Sequence, residues 1–226
     1  TENLGIAGNT NRALTMAQGD WVALVDHDDL LTPDAAYCVL RAAEQGADMV
    51  YSDEDKCRAD GTHFFDPHLK SDFAPDTLRA GNYICHLMAM EKALMERVGA
   101  LRAECDGSQD HDLALRASEQ ARKITHIHRI LYHWRMLDTS ESHQRVEKCA
   151  LAAARAVDDQ LKRLHLSGHA ESRDLQVRIA YDLHPEETVT LIVVCDAKGT
   201  QRWLRRLARV TPEHPVQVLL IGAVKE

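Results

Sequence analysis

The sequence of 226 residues predicts an α/β fold, in which a mixed, mostly parallel, Rossmann-like sheet is flanked by helices. Two observations predict this fold class. Short apolar runs typical of buried strands alternate along the chain with segments of helical periodicity. The first two of these runs also end abruptly in acidic clusters, and ligands of open α/β sheets bind beyond the carboxyl ends of strands.

The first predicted elements lead to an acidic cluster. Residues 9–17 have the pattern of a short helix, and the apolar run 21–25 is typical of a buried strand. That strand ends at Asp26-His27-Asp28-Asp29. Thr32 and Pro33 then predict a helix N-terminus. The apolar residues of this helix recur at helical spacing and are Ala35, Ala36, Val39, Leu40 and Ala43.

A second strand is predicted at 47–52, and it ends in the acidic cluster Asp53-Glu54-Asp55. Residues 57–72 are polar and aromatic, and we expect them to be irregular. The remaining elements of this part are predicted as strands at 84–90 and 130–134 and helices at 92–98 and 110–120.

The hydrophobic pattern divides the chain into three parts. Residues 1–145 form the first predicted domain, and 146–188 form a connector that begins with an amphipathic packing helix. From 189 to 226 the pattern restarts as a strand, a helix and a strand. Because such a unit does not bury its own faces, we expect it to open a second α/β domain.

Composition excludes several classes of protein. A net charge of -8 and a pI near 5.9 argue against nucleic acid as a partner. The six cysteines form no CxxC pair, so reduced thiols in the cytoplasm are expected. No apolar run reaches the ~18 residues of a transmembrane helix. We therefore expect a cytoplasmic protein without its own transmembrane segment, peripheral at most to the inner face of the cell membrane.

Asp26, Asp28 and Asp29 form the strongest local signal for chemistry. Carboxylates separated by one residue in an extended stretch suit a hard divalent cation that also bridges the oxygens of a diphosphate. The alternative is a solvated turn in which Asp29 or Thr32 caps the following helix. Both interpretations stay open at this point.

Five ordered motifs extend this signal. They occupy residues 3–29, 51–56, 82–86, 107–116 and 132–135, and they include Gln109-Asp110 and Tyr132-His133-Trp134-Arg135. Their order resembles the middle of family 2 glycosyltransferases of the GT-A fold, of the bacterial cell-surface polysaccharide and O-antigen type. By this resemblance the family's opening strand would precede Thr1, so we expect a domain that is incomplete at its N-terminus. Residues 190–196 resemble the same opening strand of a second unit.

The resemblance assigns roles to the acidic residues. Asp26 would lie near the nucleotide ribose, Asp28 would ligate the metal on the diphosphate, and Asp29 would help from an outer shell. Asp110 would be the general base, with Gln109 in place of the family's more usual acid. Helix capping is the alternative role for Asp110, and Asp112, inside the same predicted helix, is expected to be structural.

Further site residues follow from the same resemblance. His133 would complete the metal shell, and Arg135 would meet the diphosphate; the alternative for His133 is a buried, hydrogen-bonded imidazole. Asp53 and Asp55 would line the donor-sugar or acceptor side, unless they belong to a solvated loop. The candidates for contact with the acceptor sugar are Asn82, Tyr83 and His86.

The expected function is metal-dependent, inverting transfer of a sugar from a nucleotide diphosphate donor to a glycan or lipid-linked acceptor, with Mn²⁺ or Mg²⁺ as the cofactor. Two alternatives from other classes remain. The His27-Asp28 doublet is found in metal phosphohydrolases, although there it lies inside a helix. A non-catalytic carbohydrate-binding or scaffold fragment would keep the fold without the chemistry.

Overall fold

The computed structural model describes residues 3–137, 146–173, 176–182, 186–194, 200–207, 209 and 215–222. The chain divides into two compact units, Thr1–Ala180 and Tyr181–Glu226. The elements of the first unit are α1 (Gly5–Met16), β1 (Trp21–Leu24), β2 (Leu30–Leu31), α2 (Ala35–Glu44), β3 (Met49–Cys57), β4 (Phe64–His68), α3 (Pro75–Ala80), β5 (Met88–Glu91), α4 (Lys92–Val98), α5 (Gln109–Gln120), β6 (Ile124–Arg135), α6 (Val146–Arg163), β7 (Gly168–Arg173) and β8 (Gln176–Tyr181), which ends at the boundary. Within the described ranges, no helix is both long and apolar enough to cross a membrane.

The main sheet confirms the predicted α/β class. Its strand order is β1-β5-β3-β6-β2, and β4 pairs with the outer part of β3. β3 and β6 are parallel, whereas β5 is antiparallel to both β1 and β3, so β1, β3 and β6 run in one direction. The short strands β2, β4 and β5 run the opposite way and make the sheet mixed. The carboxyl ends of the three main strands therefore meet at one edge, where ligands of such sheets bind.

Two strands are longer than the sequence pattern indicates. β3 continues through the acidic residues to Cys57, and β6 begins at Ile124, six residues before its predicted start. The pairing continues because Glu54 lies opposite Tyr132 and Asp55 opposite His133, after register shifts on either side of Asp53. The prediction that the acidic cluster follows the strand is thus wrong. The prediction that residues 57–72 are irregular is also wrong, because this segment contains β4.

Hydrophobic residues pack on both faces of this sheet. Met49 and Tyr51 of β3 join a core shared with α5 and α6, and Val50 between them joins a core shared with α2. The inner face of α2 differs from the predicted one, since Leu40 is 54% exposed. Its buried residues are Ala35, Cys38, Val39 and Ala42. One helix face therefore turns inward, and Leu40 lies outside it.

A buried ion-pair network secures α5. The Asp112 carboxylate is fully buried and accepts hydrogen bonds from the guanidinium groups of Arg102 and Arg116. Arg116 also donates to the carbonyl oxygen of Val98, the last residue of α4, and to that of Ala100 in the following turn. Asp112 therefore has a structural role, as its position inside the helix predicted.

The second unit contains β9 (Val189–Val194), α7 (Thr200–Leu207) and β10 (Val216–Ile221). β9 and β10 are parallel, with Val189 opposite Val216, so the segment is a strand, helix, strand crossover of the predicted type. Ile192 and Val194 are 63% and 80% exposed. That this unit opens a further domain stays a prediction, and Cys195 and Asp196 of its motif lie outside the described residues.

Candidate functional site

The acidic loop Asp26–Asp29 follows β1 and is fastened to β6. The Tyr132 hydroxyl donates a hydrogen bond to Asp29 Oδ2 and accepts one from the Asp26 backbone N–H at 3.2 Å. The Arg135 backbone N–H donates to Asp29 Oδ1 at 2.7 Å. Burial raises the pKa of Asp29 by more than these hydrogen bonds lower it. The Asp29 carboxylate thus attaches the loop to β6.

Asp26 and Asp28 face outward from the same loop. The side chains of Asp26 and Asp28 are 63% and 33% exposed, and His27 between them is 97% exposed. Their carboxylate oxygens are accessible to a ligand that approaches the carboxyl end of β1. Asp29 fixes the backbone of the loop, and the other two residues present carboxylate oxygens, the ligand type that hard divalent cations prefer.

His86 lies between two carboxylates behind this loop. Its Nε2 is 3.5 Å from Asp26 Oδ2 and its Nδ1 is 3.3 Å from Glu54 Oε2. The ring stacks on Tyr132 with centroids 4.7 Å apart and an angle of 16°. Burial disfavours the charged ring, but Asp26 and Glu54 outweigh it and raise the pKa of His86 to about 10. At neutral pH His86 is therefore an imidazolium.

Glu54 is the centre of this part of the site, although the sequence analysis assigns it no separate role. Its carboxylate contacts the His86 backbone N–H, the His68 ring at 3.2 Å and the Lys70 ammonium at 3.8 Å. Burial opposes its ionisation, but His86 and Lys70 outweigh burial and lower the pKa of Glu54. Successive side chains of a strand point to opposite faces of the sheet. The position of Glu54 between Asp53 and Asp55 is therefore the signal in the sequence that its role differs from theirs.

Residues 82–86, here called the linking segment, connect this cluster to the predicted general base. The Lys70 ammonium, whose side chain is fully buried, donates to the carbonyl oxygens of Ile84, at 2.9 Å, and of His86. At the other end Asn82 Nδ2 donates to Asp110 Oδ2 at 3.0 Å. Five residues span at most about 14 Å between their end Cα atoms. Asp26 and Asp110 therefore contact the same short segment.

Asp110 is in the first turn of α5, where free backbone N–H groups and the helix dipole favour a carboxylate. The turn before it needs Gly107, whose φ is +98°. A Cβ atom on Gly107 would also lie 3.0 Å from Cys149 Sγ. The Ser108 hydroxyl donates to the Cys149 carbonyl at 2.8 Å, so α6 supports the start of α5.

His133 and Asp55 form a buried pair beside the acidic loop. Their Nδ1 and Oδ1 atoms are 2.5 Å apart, and the side chains are 15% and 10% exposed. With Nδ1 bound to a carboxylate, Nε2 remains as the metal-binding nitrogen, which is the usual carboxylate–histidine–metal arrangement. β2 brings the loop to this pair because Leu30 lies opposite His133. Asp28 on the loop and His133 beside it are therefore the candidate ligands for a divalent cation.

Three predicted residues are engaged elsewhere. The Arg135 guanidinium donates to the Ala59 carbonyl at 3.1 Å, and only its backbone contacts the acidic loop. The Tyr83 hydroxyl accepts the Ala74 backbone N–H at 2.8 Å. Asp53 is 5% exposed, and its Oδ1 accepts the Lys70 backbone N–H at 2.8 Å. Asp53 therefore lies beneath the surface and does not line it.

Several known proteins resemble this chain in sequence. Residues 1–99 match the sequence profile described as glycosyl transferase family 2. An uncharacterized protein of Sinorhizobium fredii is 41% identical over 160 residues, which cover 68% of this chain and 18% of that protein. The O-antigen biosynthesis protein RfbC of Myxococcus xanthus is 33% identical over 189 residues, which cover 81% of this chain and 15% of that protein.

A solved structure has a similar fold. Residues 1–349 of TarS from S. aureus, crystallised in complex with UDP-GlcNAc, superpose with a TM-score of 0.55 at 15% identity. The match covers 71% of this chain and 48% of that chain. This chain spans less than a fifth of the length of the two sequence relatives that it matches. The GT-A fold expected from the sequence motifs is confirmed.

Proposed function

Because this chain belongs to glycosyl transferase family 2, we propose that it transfers a sugar from a nucleotide diphosphate to a glycan or lipid-linked acceptor in surface-polysaccharide synthesis. The acidic loop is the observation that carries the proposal, since it presents Asp26 and Asp28 at the carboxyl end of β1. Two similar proteins support it: one is an O-antigen biosynthesis protein, and the other was crystallised with UDP-GlcNAc. Nucleotide sugars are therefore the donor class to test first.

In this proposal Asp28 and His133 Nε2 hold Mn²⁺ or Mg²⁺, which would offset the charge of the departing diphosphate. Asp55 positions His133 through Nδ1. Asp26 faces the nucleotide ribose, and the His86 imidazolium behind it fixes its carboxylate and lowers its pKa. Asp29 acts through the backbone of the loop, which it ties to β6.

Asp110 activates the acceptor on the other side of the linking segment. Asn82 occupies its Oδ2, so Oδ1 takes the proton of the acceptor hydroxyl. The freed oxygen attacks the anomeric carbon, and the electrons of the breaking bond leave with the diphosphate. Because attack and departure are on opposite faces of the sugar, the anomeric configuration inverts. No covalent bond to the protein is needed.

The structure gives little support to a phosphohydrolase of the HD type. In that class the His-Asp doublet lies in a helix, whereas here His27 and Asp28 lie in the turn between β1 and β2. His27 is 97% exposed, and its Nδ1 is 3.7 Å from the neighbouring Asp28. A non-catalytic carbohydrate-binding role differs from the enzyme in one respect, because binding alone does not need Asp110 as a base.

Release of nucleoside diphosphate tests the proposal. The protein is incubated with Mn²⁺, UDP-N-acetylglucosamine or the corresponding GDP and dTDP sugars, and a bacterial extract of lipid-linked glycans. We expect Asp28→Asn to lose donor binding and release, and Asp110→Asn to keep donor binding but lose release by at least 100-fold. Asp20→Asn, an exposed aspartate before β1, is the matched control and keeps both. Full release by Asp110→Asn would refute the assignment of the base.

A further inference from the structure

A second group of metal-ligating side chains lies apart from the acidic loop. Asp72, His126 and His128 each place one ligand atom within 4.8 Å of the others. His126 is opposite Tyr51 of β3, whereas Tyr132, which holds the acidic loop, is opposite Glu54. Three strand positions separate these pairs, or about 10 Å along the sheet. The group is therefore distinct from Asp28 and His133.

His126 has an unpartnered nitrogen that faces this group. The side chain is 1% exposed, and its Nε2 is 2.8 Å from Asp53 Oδ1. Its Nδ1 is buried without a hydrogen-bond partner and lies 3.5 Å from Asp72 Oδ1. When Nε2 carries the proton that it donates to Asp53, Nδ1 presents a lone pair. The lone pair of His126 Nδ1 then faces Asp72 Oδ1 at 3.5 Å, and a cation bound between the two atoms would remove their repulsion.

The spacing of these atoms suits a four-coordinate ion. Bonds of 2.0 to 2.1 Å in a tetrahedron place neighbouring ligand atoms about 3.3 Å apart. Asp72 Oδ1 is 3.5 Å from His126 Nδ1 and 3.2 Å from His128 Nε2. Two of the three edges thus have this length already. The third pair of ligand atoms, in His126 and His128, lies within 4.8 Å, and closing this edge would require rotation of the Asp72 and His128 side chains, which are 81% and 69% exposed.

Neighbouring residues hold the group in place. Tyr51 stacks on the His126 ring with centroids 4.8 Å apart and an angle of 6°. The Tyr51 hydroxyl donates to the Ser71 carbonyl at 2.7 Å, beside Asp72. The bond from His126 Nε2 to the Asp53 carboxylate is the outer-shell contact that metal-binding histidines usually make. One tyrosine and one aspartate therefore orient both the strand ligand and the segment that carries Asp72.

We propose that Asp72, His126 and His128 form a zinc-class metal site that ties the segment before α3 to β6. Two imidazoles and one carboxylate suit Zn²⁺ better than Mg²⁺, which prefers oxygen ligands. Three protein ligands leave the fourth position to water. The site has a structural consequence for the linking segment, because Asp53 binds both His126 and the backbone of Lys70, whose ammonium holds that segment.

Titration of the metal-free protein with Zn²⁺ against a chromophoric chelator tests the proposal, with Co²⁺ as a spectroscopic probe. In Asp28→Ala, which lacks the proposed diphosphate site, we expect one Zn²⁺ per chain and an intense visible Co²⁺ spectrum of the four-coordinate type. His128→Ala and Asp72→Ala alter exposed side chains and should weaken Zn²⁺ binding at least tenfold. His169→Ala, an exposed histidine of β7, is the matched control. Zn²⁺ should also raise the melting temperature of the wild type but not of His128→Ala.

Three results would overturn the proposal. The first is a wild type that binds no Zn²⁺, which would leave a histidine and aspartate cluster that shares protons only. The second is unchanged Zn²⁺ affinity in both His128→Ala and Asp72→Ala. The third is Zn²⁺ binding that is lost in Asp28→Ala and kept in His128→Ala, which would place the ion at the acidic loop. Donor binding and sugar transfer are measured separately, so failure of the proposed function leaves this test intact.

Discussion

The charge on His86 depends on two carboxylates with different exposure, and this difference gives a quantitative prediction. Glu54 lies 3.3 Å from the ring and is 11% exposed, whereas Asp26 lies 3.5 Å away and is 63% exposed. With the effective dielectric constant of about 20 that holds for pairs in and near a protein, the attraction of Glu54 is about 5 kcal/mol. For the better-screened Asp26, a value near that of water gives about 1 kcal/mol. Glu54 should therefore contribute more to the charge on His86.

The perturbation is Glu54→Gln, which removes the charge and keeps the shape. We expect the proton affinity of His86 to fall roughly 5000-fold in this variant and about fivefold in Asp26→Asn. The assay is an NMR titration of the His86 ring protons in metal-free protein, where the wild type should titrate at a pKa of about 10. Glu44→Gln, an exposed glutamate of α2, is the matched control and should change nothing.

Stability gives a second view of the same charge. The pKa of His86 is raised by folding, so its contribution to stability is complete below its unfolded pKa of ~6.5 and disappears as the pH rises through about 10. The free energy of unfolding should fall across this range in the wild type, and less in Glu54→Gln. A larger effect of Asp26→Asn than of Glu54→Gln, or no effect of either, would refute the reasoning.

Two further predictions concern α5. Asp112→Asn leaves the guanidinium groups of Arg102 and Arg116 with a neutral partner and should lower the free energy of unfolding by about 3–5 kcal/mol; a loss below 1 kcal/mol in urea unfolding would contradict the network. The Nε2 atom of His111 lies 2.6 Å from the Leu78 carbonyl oxygen, and burial lowers the pKa of this ring. Below pH ~6.5, His111 is therefore protonated in the unfolded chain but not in the folded chain, which destabilises the folded state. The urea midpoint should therefore drop from pH 7 to pH 5, less so in His111→Gln, and an equal drop in both would contradict this.

The sequence predicts the order of elements well because most of them carry a complete local signal. The helix predicted at 92–98 has these bounds in the structure, and Gly99 ends it with a φ of +82°. The strands at 189–194 and 216–221 are also found as predicted, since β-branched runs define them. Local propensity and tertiary structure agree at these places.

The pattern failed where polar residues are buried in a strand. β3 includes Asp53, Glu54 and Asp55, which single-sequence rules assign to a loop because unpaired carboxylates are rarely buried. Each of them finds a partner that is distant in sequence, such as His126 for Asp53 and His133 for Asp55. Nothing local in the sequence indicates these pairs.

The motifs included the loop at Asp26–Asp29 and the candidate base at Asp110, but they gave no role to the residues that position them. Glu54 and Lys70 act through the linking segment, and Tyr132 acts through the loop. Their contacts depend on the pairing of β3 with β6, including its register shifts. Two histidines separated by one residue, His126 and His128, are visible in the sequence. They indicate a metal site only when the fold shows that Asp72 lies beside them.

A calorimetric titration with UDP, GDP and dTDP, each with and without Mn²⁺, tests whether the acidic loop is the diphosphate site; it is repeated on Asp28→Ala and on the control Asp20→Asn. We expect that one nucleotide binds, that Mn²⁺ strengthens its binding, and that this gain is lost in Asp28→Ala but kept in Asp20→Asn. Nucleotide binding that neither responds to Mn²⁺ nor weakens in Asp28→Ala would contradict the assignment of the acidic loop as the diphosphate site.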